Sequence, residues 1–178
     1  SVCLSQTTND QVARMLPLVN AVSCNDTNTL RALIAKGINV NERFGNLNAT
    51  VLFRAAHWGH LDITRILIDS GADPLARDVW GNTPFDIAVK RGHKHVAEVL
   101  MAKGSEVDGT NWLGQTALLM AARNGSEETA LWMLERGADP NATSTNTPGG
   151  AIFYAAAHGK AALVSALLKK GARTDGKG

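Results

Sequence analysis

Between Thr83 and Gly104 the chain passes from a polar turn into two short apolar segments in helical phase. Phe85, Ile87, Ala88 and Val89 supply one apolar helix, and Val96, Val99 and Leu100 fall on one face of a second. The ends of these helices are marked as well as their faces. Thr83 can accept a backbone N–H with its hydroxyl, Pro84 suits the first helical position, and Asp86 is placed to reach back as in a capping box. Gly92 and Gly104 can take the left-handed conformation that ends a helix. Residues 78–104 are thus predicted to form a turn followed by two antiparallel helices.

A unit this small cannot bury its own apolar face, which makes its recurrence the next question. Thr50, Thr83 and Thr116 lie 33 residues apart, and Gly59, Gly92, Gly125 and Gly159 follow at steps of 33, 33 and 34. Gly37, Gly71, Gly104, Gly137 and Gly171 are separated by 34, 33, 33 and 34, and Ala55, Ala88, Ala121 and Ala155 keep the same phase. These tracks predict one all-α domain over residues 11–175, with about five repeats at about 11–44, 45–77, 78–110, 111–143 and 144–175. A polar tail, 1–10, and a short C-terminal tail, 176–178, flank it.

The end repeats depart from the middle ones. In the first, Val12, Met15, Leu16, Val19 and Val22 share a face, and Leu16-Pro17-Leu18 stands in place of Thr83-Pro84-Phe85. Such divergence is expected where one face has no neighbour. In the second, Asn48 stands where Gly81 and Gly114 stand later, as a substitute at positive φ. In the fifth, residues 143–150 are loop chemistry with one extra residue, and helices are expected over 152–158 and 160–170.

Composition narrows the function. A net charge of +2 over 178 residues, without a Lys/Arg run, gives no ground for nucleic-acid binding. No apolar stretch approaches the roughly 20 residues needed to span a bilayer. The chain opens at Ser1 and not at Met, which leads to the expectation of a processed or truncated product lacking its targeting segment. Cys3 and Cys24 are the only cysteines, and a disulfide between them would pin the polar tail to the first repeat; two unpaired thiols are the alternative. The tail cysteine and the missing Met favour an extracytoplasmic location, bacterial periplasm or secreted, over a cytoplasmic one.

Gly81-Asn82-Thr83-Pro84-Phe85, Ala55-Ala56 followed by Gly59-His60, and Gly71-Ala72-Asp73-Pro74 or Gly137-Ala138-Asp139-Pro140-Asn141 closely resemble the ankyrin repeat signature. The resemblance covers about residues 11–175. It implies a curved solenoid of paired antiparallel helices, hairpin-like loops projecting from the junctions, and a concave surface that binds protein. The His that commonly follows Thr-Pro-Leu is replaced by Phe53, Asp86, Leu119 and Phe153, which is expected to remove a side-chain tie between repeats and lower stability.

Catalytic chemistry finds little footing. Of the five histidines, His60 and His93 fill the Gly-His position of the ankyrin pattern, where an imidazole satisfies backbone groups at the turn. His57 and His158 precede the interhelix Gly and are expected to be exposed, and neither they nor His95 have a Cys at zinc spacing. Glu127 and Glu128 begin a helix, where negative charge suits the dipole. No Ser sits in a nucleophile-elbow context, and Thr147-Pro148-Gly149-Gly150 lacks the Lys of a phosphate loop. Catalytic residues, metal ligands and cofactors are therefore expected to be none, and a metal-dependent enzyme is the disfavoured reading.

The resemblance places on the groove the residues beside each turn Gly and the two before each interhelix Gly. Here these include Leu47, His57 and Trp58, then Trp80, Asn82, Lys90 and Arg91, then Trp112, Leu113, Gln115 and Arg123. Trp132, the fourth tryptophan, takes the place of a buried aliphatic. Trp and Arg concentrate binding energy at interfaces, so the set is the candidate partner-binding surface; the competing reading is that the indoles cover one another. Lys90, Arg91 and Arg123, with Arg54 less securely placed, would give the groove a positive edge that attracts an acidic partner, unless the charges serve solvation alone. The expected function is a non-catalytic interaction scaffold, monomeric by itself. An inhibitor or immunity-type protein that blocks a partner enzyme is the alternative.

Overall fold

The computed structural model describes residues 10–144 and 149–175. These contain ten α-helices in five antiparallel pairs: α1 (Asp10–Ser23) with α2 (Thr27–Ala35), α3 (Val51–Trp58) with α4 (Leu61–Asp69), α5 (Pro84–Arg91) with α6 (Lys94–Met101), α7 (Ala117–Asn124) with α8 (Glu127–Glu135), and α9 (Ala151–Ala157) with α10 (Ala161–Lys169). The first helices of successive pairs pack in sequence as an inner layer, and the second helices do the same as an outer layer. No strand occurs among the described residues; isolated antiparallel bridges between Phe44 and Ala49 and between Thr110 and Thr116 close two of the loops.

The core is continuous along the array. Leu18, Leu30, Leu52, Ile63, Leu67, Phe85, Val96, Leu100, Leu118, Met133, Leu163 and Leu167 belong to one buried cluster. The alanine track has its reason here. Ala55, Ala88, Ala121 and Ala155 are fully enclosed, and at each the inner helix presents a methyl group where a larger side chain would overpack the core. Trp132 is buried on α8, with the Arg136 guanidinium 5.4 Å from its ring.

The caps vary more than the track of threonines implies. At α5 the capping box is complete: the Thr83 hydroxyl accepts from Asp86 N at 3.3 Å, and Asp86 Oδ2 accepts from Thr83 N at 2.7 Å and from its hydroxyl at 2.9 Å. Thr116 caps α7 through Leu119 N. Thr50 keeps the position without the bond, and its buried hydroxyl has no partner among the described residues. Pro17 does not open a helix; it lies inside α1, which begins at Asp10. Asn48 has φ +50°, as its substitution for Gly requires.

Neighbouring repeats are tied by side chains that the signature histidine does not supply. His60 Nε2 meets Ser23 O at 3.3 Å, His93 Nε2 meets His57 O at 3.0 Å, and His158 Nε2 meets Arg123 O at 2.9 Å. In the fourth repeat Asn124 and Ser126 both donate to Lys90 O. Each accepting carbonyl lies at the C-terminal end of an inner helix, where intrahelical donors have run out. The backbone groups satisfied by His60 and His93 thus belong to the preceding repeat, and the tie expected to be lost at Phe53, Asp86, Leu119 and Phe153 is made elsewhere. Arg43 and Arg77 add a second set: each donates to its own loop, at Asn48 O and Gly81 O, and to the next repeat, at Arg77 O and Thr110 O.

Two of these arrangements generate measurable consequences. Gly59 has φ +73°, and a Cβ there would stand 2.5 Å from Nδ1 of the His93 ring, whereas Gly125 has φ +75° with no atom within 4 Å of such a Cβ. Gly125→Ala should cost only backbone strain, about 1–2 kcal/mol, and Gly59→Ala about 2–4 kcal/mol because it also displaces the imidazole from His57 O. Urea denaturation of both variants measures the difference. Burial raises the Asp86 carboxyl from 3.8 to about 6, against the bonds from Thr83 that lower it. The folded state therefore holds this proton more tightly than the unfolded chain, so the group's contribution to stability falls as pH rises from about 4 to about 6. Across that window the stability of the wild type relative to Asp86→Asn should fall by on the order of 2–3 kcal/mol, read from denaturation midpoints at each pH.

Candidate functional site

The loops preceding α3, α5 and α7 stand side by side and are joined by backbone. Val79 N donates to Leu47 O at 3.1 Å, and Trp112 N donates to Trp80 O at 3.0 Å. This register sets the side chains at the loop tips relative to the inner helices beneath. Within the third loop, Asp78 Oδ1 accepts from Trp80 N and Asn82 N, each at 2.9 Å. In the fourth, Asn111 Oδ1 accepts from Leu113 N and Gln115 N, each at 3.0 Å.

That geometry separates the eleven candidate partner-binding residues into groups. Leu47, His57, Trp58, Trp80, Lys90 and Arg91 line one cleft of about 460 Å³ between the second and third repeats. Trp112, Leu113 and Arg123 lie beyond it, exposed on the fourth. Asn82 and Gln115 are buried, 8% and 7% exposed, and do not face the groove. Asn82 donates to the Asp78 carboxylate and accepts from Asn111 Nδ2 at 2.9 Å, and Asn111 Nδ2 is also 3.3 Å from Gln115 Oε1. Their amides are committed to closing and coupling the loops. His57 is half-buried, not exposed, because α3 packs against α5 and its ring stands edge-on to Trp58 at 5.0 Å.

The indoles remain open. Trp58, Trp80 and Trp112 are 52%, 50% and 68% exposed. Trp112 lies against the backbone of Gly81, where a Cβ would come within 2.6 Å of its ring. Among the described residues no two of the three indoles are in ring contact, so they do not cover one another.

The cleft is also lined by residues outside the sequence-derived set, among them Phe44, Phe53 and Ile87, and it includes Arg54, which the sequence placed less securely on the positive edge. Phe53 carried a signal, since it departs from the signature residue at its position, and the Arg54 guanidinium rests 5.8 Å from the Phe44 ring. Phe44 and Ile87 carried none, being ordinary apolar residues in their repeats.

Positive charge dominates the cleft wall. Burial, followed by the charges of Arg91, Arg54, His93 and Lys90, holds the His57 imidazole below its ordinary 6.5. Burial, then Arg91 and Arg123, lowers the Lys90 ammonium, with Asp78 pulling the other way. The side chains of Lys90, Arg91 and Arg123 have neither ion pair nor hydrogen bond among the described residues. Surface ion pairs lie elsewhere, as between Glu127 and Lys160 at 3.8 Å and between Glu128 and Lys94 at 3.9 Å.

Among the described residues no three His, Cys, Asp or Glu side chains converge as metal ligands, and no helix is long and apolar enough to cross a membrane. Cys24 is exposed just after α1; Cys3, with the polar tail up to residue 9, lies outside the described residues, as do residues 145–148 of the fifth loop and the tail 176–178.

Comparison with known proteins agrees with the architecture. A family model described as Ankyrin repeats (many copies) matches residues 18–65 and 52–101, and a second, Ankyrin repeat, matches 113–145. The chain is 40% identical over 72 residues to the palmitoyltransferase AKR1 of Lachancea kluyveri, a match spanning 40% of this chain and 10% of that protein. It is also 40% identical over 57 residues to a putative ankyrin repeat protein, FPV222, of Fowlpox virus, covering 32% of this chain and 8% of the relative. The chain thus spans about a tenth of the length of the curated relatives it matches.

An NMR titration of the His57 ring tests the electrostatics. Its midpoint should lie below 6.5 and move upward in Arg91→Ala, which removes the largest opposing charge. An unmoved midpoint would show that Arg91 does not act on the ring.

Proposed function

The chain belongs to the ankyrin repeat family, and from that footing we propose that it is a non-catalytic scaffold that binds an acidic surface of a partner protein through its concave face and loops. One observation carries the reading. Three indoles contributed by consecutive repeats stand half or more exposed without covering one another, beside cations that have no partner among the described residues. Exposed Trp and Arg at the centre of a surface are the side chains that most often dominate binding energy. Unpaired Lys and Arg around them would speed encounter with an acidic partner and fix its orientation.

The likeness to a palmitoyltransferase is confined to 72 residues and supports shared repeats without carrying acyl transfer to this chain. A narrower form of the same reading is inhibition, in which Trp112, the most exposed of the three indoles, enters the active site of a partner enzyme. Assaying a captured enzyme with and without this chain separates occlusion from simple recruitment.

Trp80→Ala combined with Trp112→Ala should weaken binding of a captured partner by at least about tenfold. The double variant should keep the wild-type helical signal and thermal midpoint, because neither indole belongs to the buried core. Unchanged affinity in a folded double variant would reject the concave face as the binding surface.

A further inference from the structure

The cleft between the second and third repeats exists because one loop lacks the residues that close the others. In phase with Asp78 and Asn82 of the third loop, and with Asn111 and Gln115 of the fourth, the second loop carries Gly45 and Ala49. The polar pairs fold back over their own loops and fill the space beneath them. Gly45 and Ala49 cannot, and about 460 Å³ stays open there.

The floor of this space is apolar. Phe53 is 6% exposed and packs with Ala49, Ala76 and the partly buried Ile87 in a small cluster separate from the main core. Its wall is cationic, with Arg54 from α3 and Lys90 and Arg91 from α5, and the His57 ring has no hydrogen-bond partner among the described residues. The one carboxylate in the lining, Asp78, is spent on Trp80 N and on Asn82.

We propose that this cleft takes an extended segment of the partner in which an apolar side chain, seated on Phe53 and Ile87, lies next to an Asp or Glu whose carboxylate meets Lys90 and Arg91. The inference rests on the reading that the concave face binds protein and specifies what enters it. A space of about 460 Å³ suits a few side chains and their backbone more than a whole helix, about 10–12 Å across with its side chains, and an extended segment turns near-neighbouring side chains in different directions, so that one can reach the floor and another the wall. A carboxylate supplies the charge that the wall lacks. It would offset the burial, and after it the like charge of Arg91 and its neighbours, that lower the affinity of Lys90 and His57 for their protons.

The test is selection of short random peptides, displayed on phage, against the full chain. Enriched sequences should pair Asp or Glu with a neighbouring large apolar residue. Synthetic copies should bind Lys90→Ala/Arg91→Ala at least about tenfold more weakly, and lose a similar factor when their apolar residue becomes Ser. Inorganic phosphate, which brings charge without an apolar anchor, should not displace them at concentrations comparable to the peptide. Helical signal and thermal midpoint establish that the double variant is folded. Neutral or basic enriched sequences, acidic peptides indifferent to Lys90→Ala/Arg91→Ala, ready displacement by phosphate, or no enrichment at all would each overturn the proposal. Peptides that depend on Trp80 and Trp112 but not on Lys90 and Arg91 would overturn it while leaving the concave-face reading intact.

Discussion

Two helices of eight or nine residues, such as α3 and α4, cannot enclose a core between them, so each repeat is stable only through the repeats on either side. That dependence explains why the periodic residues are small or conformationally special. The enclosed alanines keep the inner helices close to the core. Carbonyls at the ends of those helices would otherwise have no protein partner, and His60, His93, His158 and Ser126 reach back from the following repeat to meet them. A neighbour therefore supplies both apolar contact and hydrogen-bond completion, and the core grows along an axis instead of outward.

What could be read from the sequence follows the same division. The helix pairs, their number and the alanine and glycine tracks are legible because stacking imposes one environment on every copy. Thr83 and Asp86 announced their capping box, since both partners lie within one turn of chain. The burial of Asn82 and Gln115 was not legible. They occupy positions that can face a groove, and only their bonds to Asp78 and Asn111, one of which crosses from the fourth loop to the third, turn them inward. Thr50 shows the opposite failure, because its residue type fits the cap while the local geometry leaves its hydroxyl unpaired. The open space near Ala49 was written as an absence: two small residues where the neighbouring copies carry larger polar ones.

The wall of that space holds two opposing effects. Burial and like charge both push Lys90 and His57 toward their neutral forms, while Asp78 pulls Lys90 the other way. The unresolved repulsion costs the free protein some stability. It also means that an anion arriving there finds cations already partly stripped of water, so less of the interaction is spent on desolvation than at a fully hydrated Lys.

Because Trp58 comes from the second repeat and Trp80 from the third, the two sides of the cleft belong to different repeats, joined among the described residues by the backbone bond from Val79 to Leu47, by His93 on His57 O and by the packing of α3 on α5 and α4 on α6. The gap between the indoles is thereby a gauge of how tightly the superhelix is wound at that step. A change in the angle between the second and third repeats would widen or narrow the cleft, because its lining comes from both.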